Sequence, residues 1–162
     1  MSLRLSPTSL VYINLALGMF VAVANGAALF LVLSGREEKL SGQGLEIAAW
    51  SIAGLLLAAS AGYAVRRADR VAEVLRWQTY LVIALVVALT VWALMLLTGA
   101  ISSSTRMVWA VGYLSVLGLY CAILGSHAFA EPRYSTMRAL LTWILVPVCV
   151  AVDILTYVKI TE

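Results

Sequence analysis

Apolar residues in this chain neither alternate nor mark one helical face; they run on, in five stretches interrupted by short polar breaks. The stretches cover residues 9–33, 47–63, 80–101, 107–127 and 139–160. A helix needs ~20 mostly apolar residues to cross a hydrocarbon layer of ~30 Å. Helices are the form such segments take, because without water every backbone polar group must be bonded within the segment. The pattern therefore predicts an all-α, polytopic transmembrane helix bundle of about five spans, forming a single integral membrane domain over residues 1–162. The first run extends well past the ~7 to 15 residues of a signal-peptide core, so it reads as an uncleaved span.

The breaks at 34–46, 64–79, 102–106 and 128–138 are too short to fold as domains, and no long-period repeat or low-complexity tract appears. Composition agrees with the pattern. Hydrophobic residues make up 63% of the chain and charged residues 12%, about half the ~25% charged content of an ordinary soluble domain.

The net charge of +3 does not point to nucleic acid, because the cations lie almost entirely in the breaks and build no phosphate-tracking groove. They set orientation instead. Arg4, Arg66, Arg67, Arg70, Arg76, Arg133 and Arg138, seven in all, fall on one side, against four on the other, Arg36, Lys39, Arg106 and Lys159. The positive-inside rule then predicts the N-terminus inside and the C-terminus outside, in a multi-pass protein of a cell membrane, the bacterial inner membrane. The acids Glu37, Glu38 and Glu46 carry little weight in that rule. Trp50, Trp77, Trp109, Trp143, Tyr12, Tyr80 and Tyr134 sit near span ends, where amphipathic rings favour the headgroup zone.

Within lipid, helices associate through small residues and through polar groups that would otherwise lack partners. Three spans carry such stripes: Asn14, Gly18, Ala22 and Asn25 in the first, Gly54, Ala58 and Gly62 in the second, and Ser115, Gly118, Ala122 and Gly125 in the fourth. Each could serve packing within the bundle or docking of a partner subunit; spacing alone does not separate the two.

Asp153 is the one ionisable residue well inside a span, where an acid costs ~2.5–3.5 kcal/mol on insertion scales. It is the candidate intramembrane polar site, either as a structural hydrogen bond to an asparagine of the first span or as part of a polar path with Asn14 and Asn25. Pro147 removes the usual partner of the Trp143 carbonyl and predicts a kink in the fifth span. Cys121 and Cys149 lie inside apolar segments and read as small buried hydrophobes. His127, the sole histidine, ends the fourth span beside Glu131 and Arg133, so two histidines cannot ligate a heme within this chain. The sequence shows no hydrolytic triad, zinc spacing or phosphate loop, so neither catalytic nor metal-binding residues are assigned.

Four short stretches carry a likeness along the chain: Glu46-Ile47-Ala48-Ala49-Trp50 opening the second span, Leu97-Thr98-Gly99 closing the third, His127-Ala128-Phe129 followed by Arg133 and Arg138, and Ile144-Leu145-Val146 through Val150. In these the chain resembles the CcmC-type heme-handling membrane proteins of cytochrome c maturation. The resemblance implies the same inside start and an outside third link. It does not extend to the family's site. Where that family has heme-ligand histidines, this chain has Leu45 and Tyr157; its tryptophan-rich outer loop is here Ser102-Ser103-Ser104-Thr105-Arg106, and its sixth span has no counterpart.

The resulting expectation is a non-catalytic integral subunit of a larger membrane complex of respiratory, photosynthetic or cytochrome-related type. It would contact the lipid bilayer and other membrane subunits, take part in electron transport without a cofactor of its own, and hold a lipid or a quinone tail. Two alternatives are a heme-handling or transport component of cytochrome c biogenesis, and a small homo-oligomeric transporter using Asp153.

Overall fold

The computed structural model describes residues 6–35, 44–100 and 113–161. Arg4, Arg36, Glu37, Glu38, Lys39, the link at 102–106 and residues 107–112 of the expected fourth span lie outside the described residues, as do the side chains of Leu45 and Glu46. Among the described residues all regular structure is helical: α1 (Pro7–Leu33), α2 (Gly44–Arg66), α3 (Val71–Leu97), α4 (Leu114–Ala128), α5 (Ser135–Leu140) and α6 (Val146–Thr161). A π-helical segment, Leu141–Leu145, joins α5 to α6, and single 3₁₀ turns lie at Ala68–Arg70 and Pro132–Tyr134.

Four of these stretches, Pro7–Leu33, Ile47–Arg66, Ala68–Leu97 and Pro132–Lys159, are long and apolar enough to cross a membrane, and Leu114–Ala128 is a shorter apolar helix. Among the described residues the protein is all-α, with four helices able to span a membrane and one shorter apolar helix, about five in all. Its surface fits that solvent: Phe20, Val23, Phe30, Leu55, Val116, Trp143 and Ile154 are all exposed, as residues facing lipid tails would be.

Helix limits follow local chemistry more closely than hydropathy. The Ser6 hydroxyl caps α1 by accepting from the Ser9 amide at 3.1 Å, with Pro7 in the first turn, where a missing N–H costs nothing. Gly35 and Gly99 follow α1 and α3 with φ of 69° and 73°. Beyond Gly99 the Ala100 amide reaches back to the Met95 carbonyl at 2.9 Å, the bond that closes a Schellman turn, so the third span ends at Leu97 and not at residue 101. That span also starts earlier than hydropathy suggests. Residues 71–79, expected within a link, are helical, because charged side chains mark the membrane boundary without breaking helical geometry.

Contacts divide the chain into two compact units, Met1–Val74 and Leu75–Glu162. In the first, α1 packs on α2. In the second, α4 packs on α6 and on the π segment, while α3 buries Leu75, Thr79, Val82, Val86, Leu89, Ala93 and Leu96. Those positions advance by alternate steps of four and three, the spacing of a left-handed helix-packing seam.

Candidate functional site

In the first unit the small residues of α1 and α2 fit into each other. A methyl group added at Gly18 would stand 2.5 Å from the Ala58 nitrogen and 2.8 Å from the Gly54 carbonyl. One added at Gly54 would stand 2.6 Å from the Ala22 nitrogen and 2.9 Å from the Gly18 carbonyl. The two backbones therefore touch directly at Gly18 and Gly54, an approach only glycine permits. Asn14 is fully buried on the same stripe, Asn25 donates to the Val21 carbonyl of its own helix at 2.9 Å, and Ser51 donates to the Ala22 carbonyl at 3.4 Å. Gly62, the third member of the α2 ladder, has no atom of the described residues within 4 Å of its added methyl position, so among them close packing stops before it. A cavity of about 290 Å³ between the start of α1 and the end of α2 is lined by Val11, Tyr12, Ala64, Val65 and neighbours. Among the described residues its lining holds no acid or base other than the Tyr12 phenol.

In the second unit the α4 stripe is also taken up within the chain. Gly118 faces Cys149, whose sulfur would lie 2.9 Å from an added methyl, and Gly125 receives the Leu141 side chain. Ser115, one turn before Gly118, meets Asp153, one turn beyond Cys149. These three pairings descend in antiparallel register. The Asp153 Oδ2 accepts the Ser115 amide at 2.8 Å and also its hydroxyl. Ser115 is the second residue of α4, whose N-cap residue Tyr113 supplies no side-chain cap. The first amides of a helix have no partner within it, so Asp153 caps α4 from a neighbouring helix. The structural hydrogen bond expected of Asp153 is made to Ser115. Asp153 Oδ1 is buried and has no hydrogen-bond partner among the described residues.

At Pro147, where a kink was expected, the structure has a π segment that ends two residues before the proline. A proline ring crowds the carbonyl four residues back, and a wider π turn relieves that crowding. The wider turn also presents Leu141 to Gly125. Three threonine hydroxyls in the spans are returned to their own helices: Thr79 to Leu75, Thr90 to Val86 and Thr156 to Val152, at 2.7–2.8 Å.

At one end of the second unit lies a cluster that sequence reading did not assemble. The rings of Trp77, Tyr80, Phe129 and Tyr134 form a chain of edge contacts, with centroids 6.3, 5.9 and 5.4 Å apart. The Arg76 guanidinium donates to the Tyr134 hydroxyl at 3.0 Å and lies 5.6 Å from that ring's centre, while Arg133 lies 4.8 Å from it. Arg133 also pairs with Glu131 at 2.8 Å. The arginines and the aromatic belt were each visible in sequence, but nothing local joins Arg76 to a tyrosine 58 positions away. His127 is half-buried in the last turn of α4, and among the described residues no ion pair joins it to Glu131.

Cys121 and Cys149 are buried free thiols. Among the described residues no three His, Cys, Asp or Glu side chains gather where they could hold a metal ion. At the positions where the resembled family ligates heme, Tyr157 is exposed and the Leu45 side chain lies outside the described residues. The fold and contacts define a polytopic helical membrane protein. Compared with protein-family models, curated proteins and solved structures, the chain matches none.

Proposed function

We propose that this protein is a non-catalytic integral membrane subunit, an architectural component of a larger membrane assembly. The observation that carries the reading is the use made of Asp153. The one carboxyl group deep in a span is bound to the first turn of α4, and the threonine hydroxyls of the spans bond their own helix backbones. Asp153 thus ties one helix to another, while the threonine hydroxyls are satisfied within their own helices. Because the Gly18, Gly54, Gly118 and Gly125 contacts are made within the chain, a partner would meet the exposed aliphatic and aromatic faces, not the small-residue stripes.

Purification of the full chain in mild detergent, with identification of co-purifying chains, tests this reading. A stoichiometric membrane partner is the expected result. A colourless, monodisperse species free of other chains would overturn it, and co-purified heme would move the reading to heme handling with ligands from another chain.

A second reading, a small transporter, is favoured by one observation, the buried Oδ1 of Asp153 that has no partner among the described residues. It requires Asp153→Asn to abolish proton- or cation-coupled flux in reconstituted vesicles. Unchanged flux in that variant would exclude it.

A further inference from the structure

Arg76 is half-buried at the membrane boundary of α3, yet its partners among the described residues are a phenol and an aromatic face. Among the described residues no carboxylate lies within ion-pair distance of it. A guanidinium is a planar fork of five donors suited to phosphate, and Tyr134 occupies only part of that fork. Both Arg76 and Arg133 stand against the same Tyr134 ring, so two guanidinium groups lie beside one tyrosine. Glu131 is the only acid paired there among the described residues, and it is taken by Arg133. Arg138 adds a further exposed cation one helical segment on, also without an ion pair among the described residues.

The surroundings specify what kind of anion would come. Trp77 and Tyr80 are exposed beside the cluster, at the level where aromatic side chains meet headgroups, and below them α3 continues as an apolar helix with Val87, Val91 and Leu94 exposed. A ligand with a phosphate at the level of Arg76 and apolar chains running down α3 satisfies both halves of this surface. We propose that Arg76, Arg133 and Tyr134, bordered by Trp77, form a binding site for the phosphate headgroup of an anionic phospholipid. Tyr134 positions both arginines, donating no charge itself but holding Arg76 by its hydroxyl and Arg133 by its ring.

The test uses the full chain in zwitterionic detergent micelles, titrated with phosphatidylglycerol or, separately, phosphatidylcholine, with bound lipid counted by native mass spectrometry. The expected result is retention of phosphatidylglycerol over phosphatidylcholine. With ~1 kcal/mol from each arginine near an anionic surface, Arg76→Gln should weaken that retention about fivefold. Arg133→Gln, altering an exposed side chain, should weaken it by a similar factor and guards against a folding defect in the Arg76 variant. Lys159→Gln removes the same charge at the far end of α6 and should leave retention unchanged. Equal retention of the two lipids would overturn the proposal, as would an equal loss in the Lys159 variant, which would mean bulk charge alone. Displacement of the lipid by millimolar inorganic phosphate would also overturn it, in favour of a soluble-anion site.

Discussion

Asp153 and Ser115 join α6 to the start of α4: a single carboxyl oxygen accepts both the backbone amide, at 2.8 Å, and the hydroxyl of Ser115. The carboxyl thereby satisfies a helix-start N–H that has no partner within α4. An asparagine oxygen at position 153 could accept the same two bonds, whereas leucine could accept neither. Asp153→Leu is therefore expected to cost ~1–3 kcal/mol, the penalty for an unsatisfied buried donor, and Asp153→Asn clearly less. Ser115→Ala, which keeps the amide bond, should cost ~1 kcal/mol. Thermal unfolding in detergent measures all three. If the leucine variant unfolds at the parent temperature, the cap does not support α4.

The Gly18 and Gly54 contact predicts a different kind of sensitivity. An added methyl at either position meets backbone atoms of the facing helix at 2.5–2.9 Å, and backbone cannot rotate aside. Gly18→Ala or Gly54→Ala should destabilise the first unit by ~1–3 kcal/mol, the usual cost of overpacking. Gly62→Ala, with open space at its added methyl, should be neutral or stabilising by up to ~1 kcal/mol, since alanine is the better helix former. Helix unfolding followed by circular dichroism separates them. Equal effects at the three positions would mean that helix propensity, not contact, governs this pair.

Much of this architecture was legible because lipid makes a simple demand: long apolar runs must be helices, and the spans could be read directly. The ends were less legible. Arg70, Glu73 and Arg76 made residues 64–79 look like a link, although charged side chains at a membrane boundary are compatible with helix, and only Arg67 interrupts helical or 3₁₀ geometry there. Small-residue stripes announced close packing, yet hydropathy carries no information on which stripe meets which, so the reciprocal fit of Gly18 with Gly54 could not be foreseen. The polar pairs were hidden for the same reason. Ser115 with Asp153 and Arg76 with Tyr134 are 38 and 58 residues apart, and each residue alone fits a packing or interfacial role.

Gly118 and Cys149 allow the packing argument to be tested as a coupled pair. The atom facing Gly118 is a side-chain sulfur 2.9 Å from the added methyl position, so a substitution that shortens Cys149 should make room. Gly118→Ala alone is expected to destabilise, by less than Gly18→Ala, because a side chain yields more readily than backbone. Cys149→Ala should recover part of that loss in the double variant, since its Cβ stays 3.1 Å from the added methyl, giving a coupling energy of ~0.5–3 kcal/mol between residues in contact. Additive losses in a double-mutant cycle would show that the two do not touch.

The cysteines also report on the integrity of the second unit. Cys121 and Cys149 are both fully buried, each on the inner face of its helix, and a water-soluble maleimide must reach a thiolate to react. In the folded chain both thiols should be labelled at least ~100-fold more slowly than a free thiol, as expected where local opening costs ~3 kcal/mol, and both should react on denaturation. Asp153→Leu, by loosening the start of α4 beside Gly118, should raise the labelling rate at Cys149 more than at Cys121, which lies further down the helix. Site-resolved labelling by mass spectrometry reads the two rates. Rapid labelling of the parent protein at both cysteines would contradict the packing of α4 against α6.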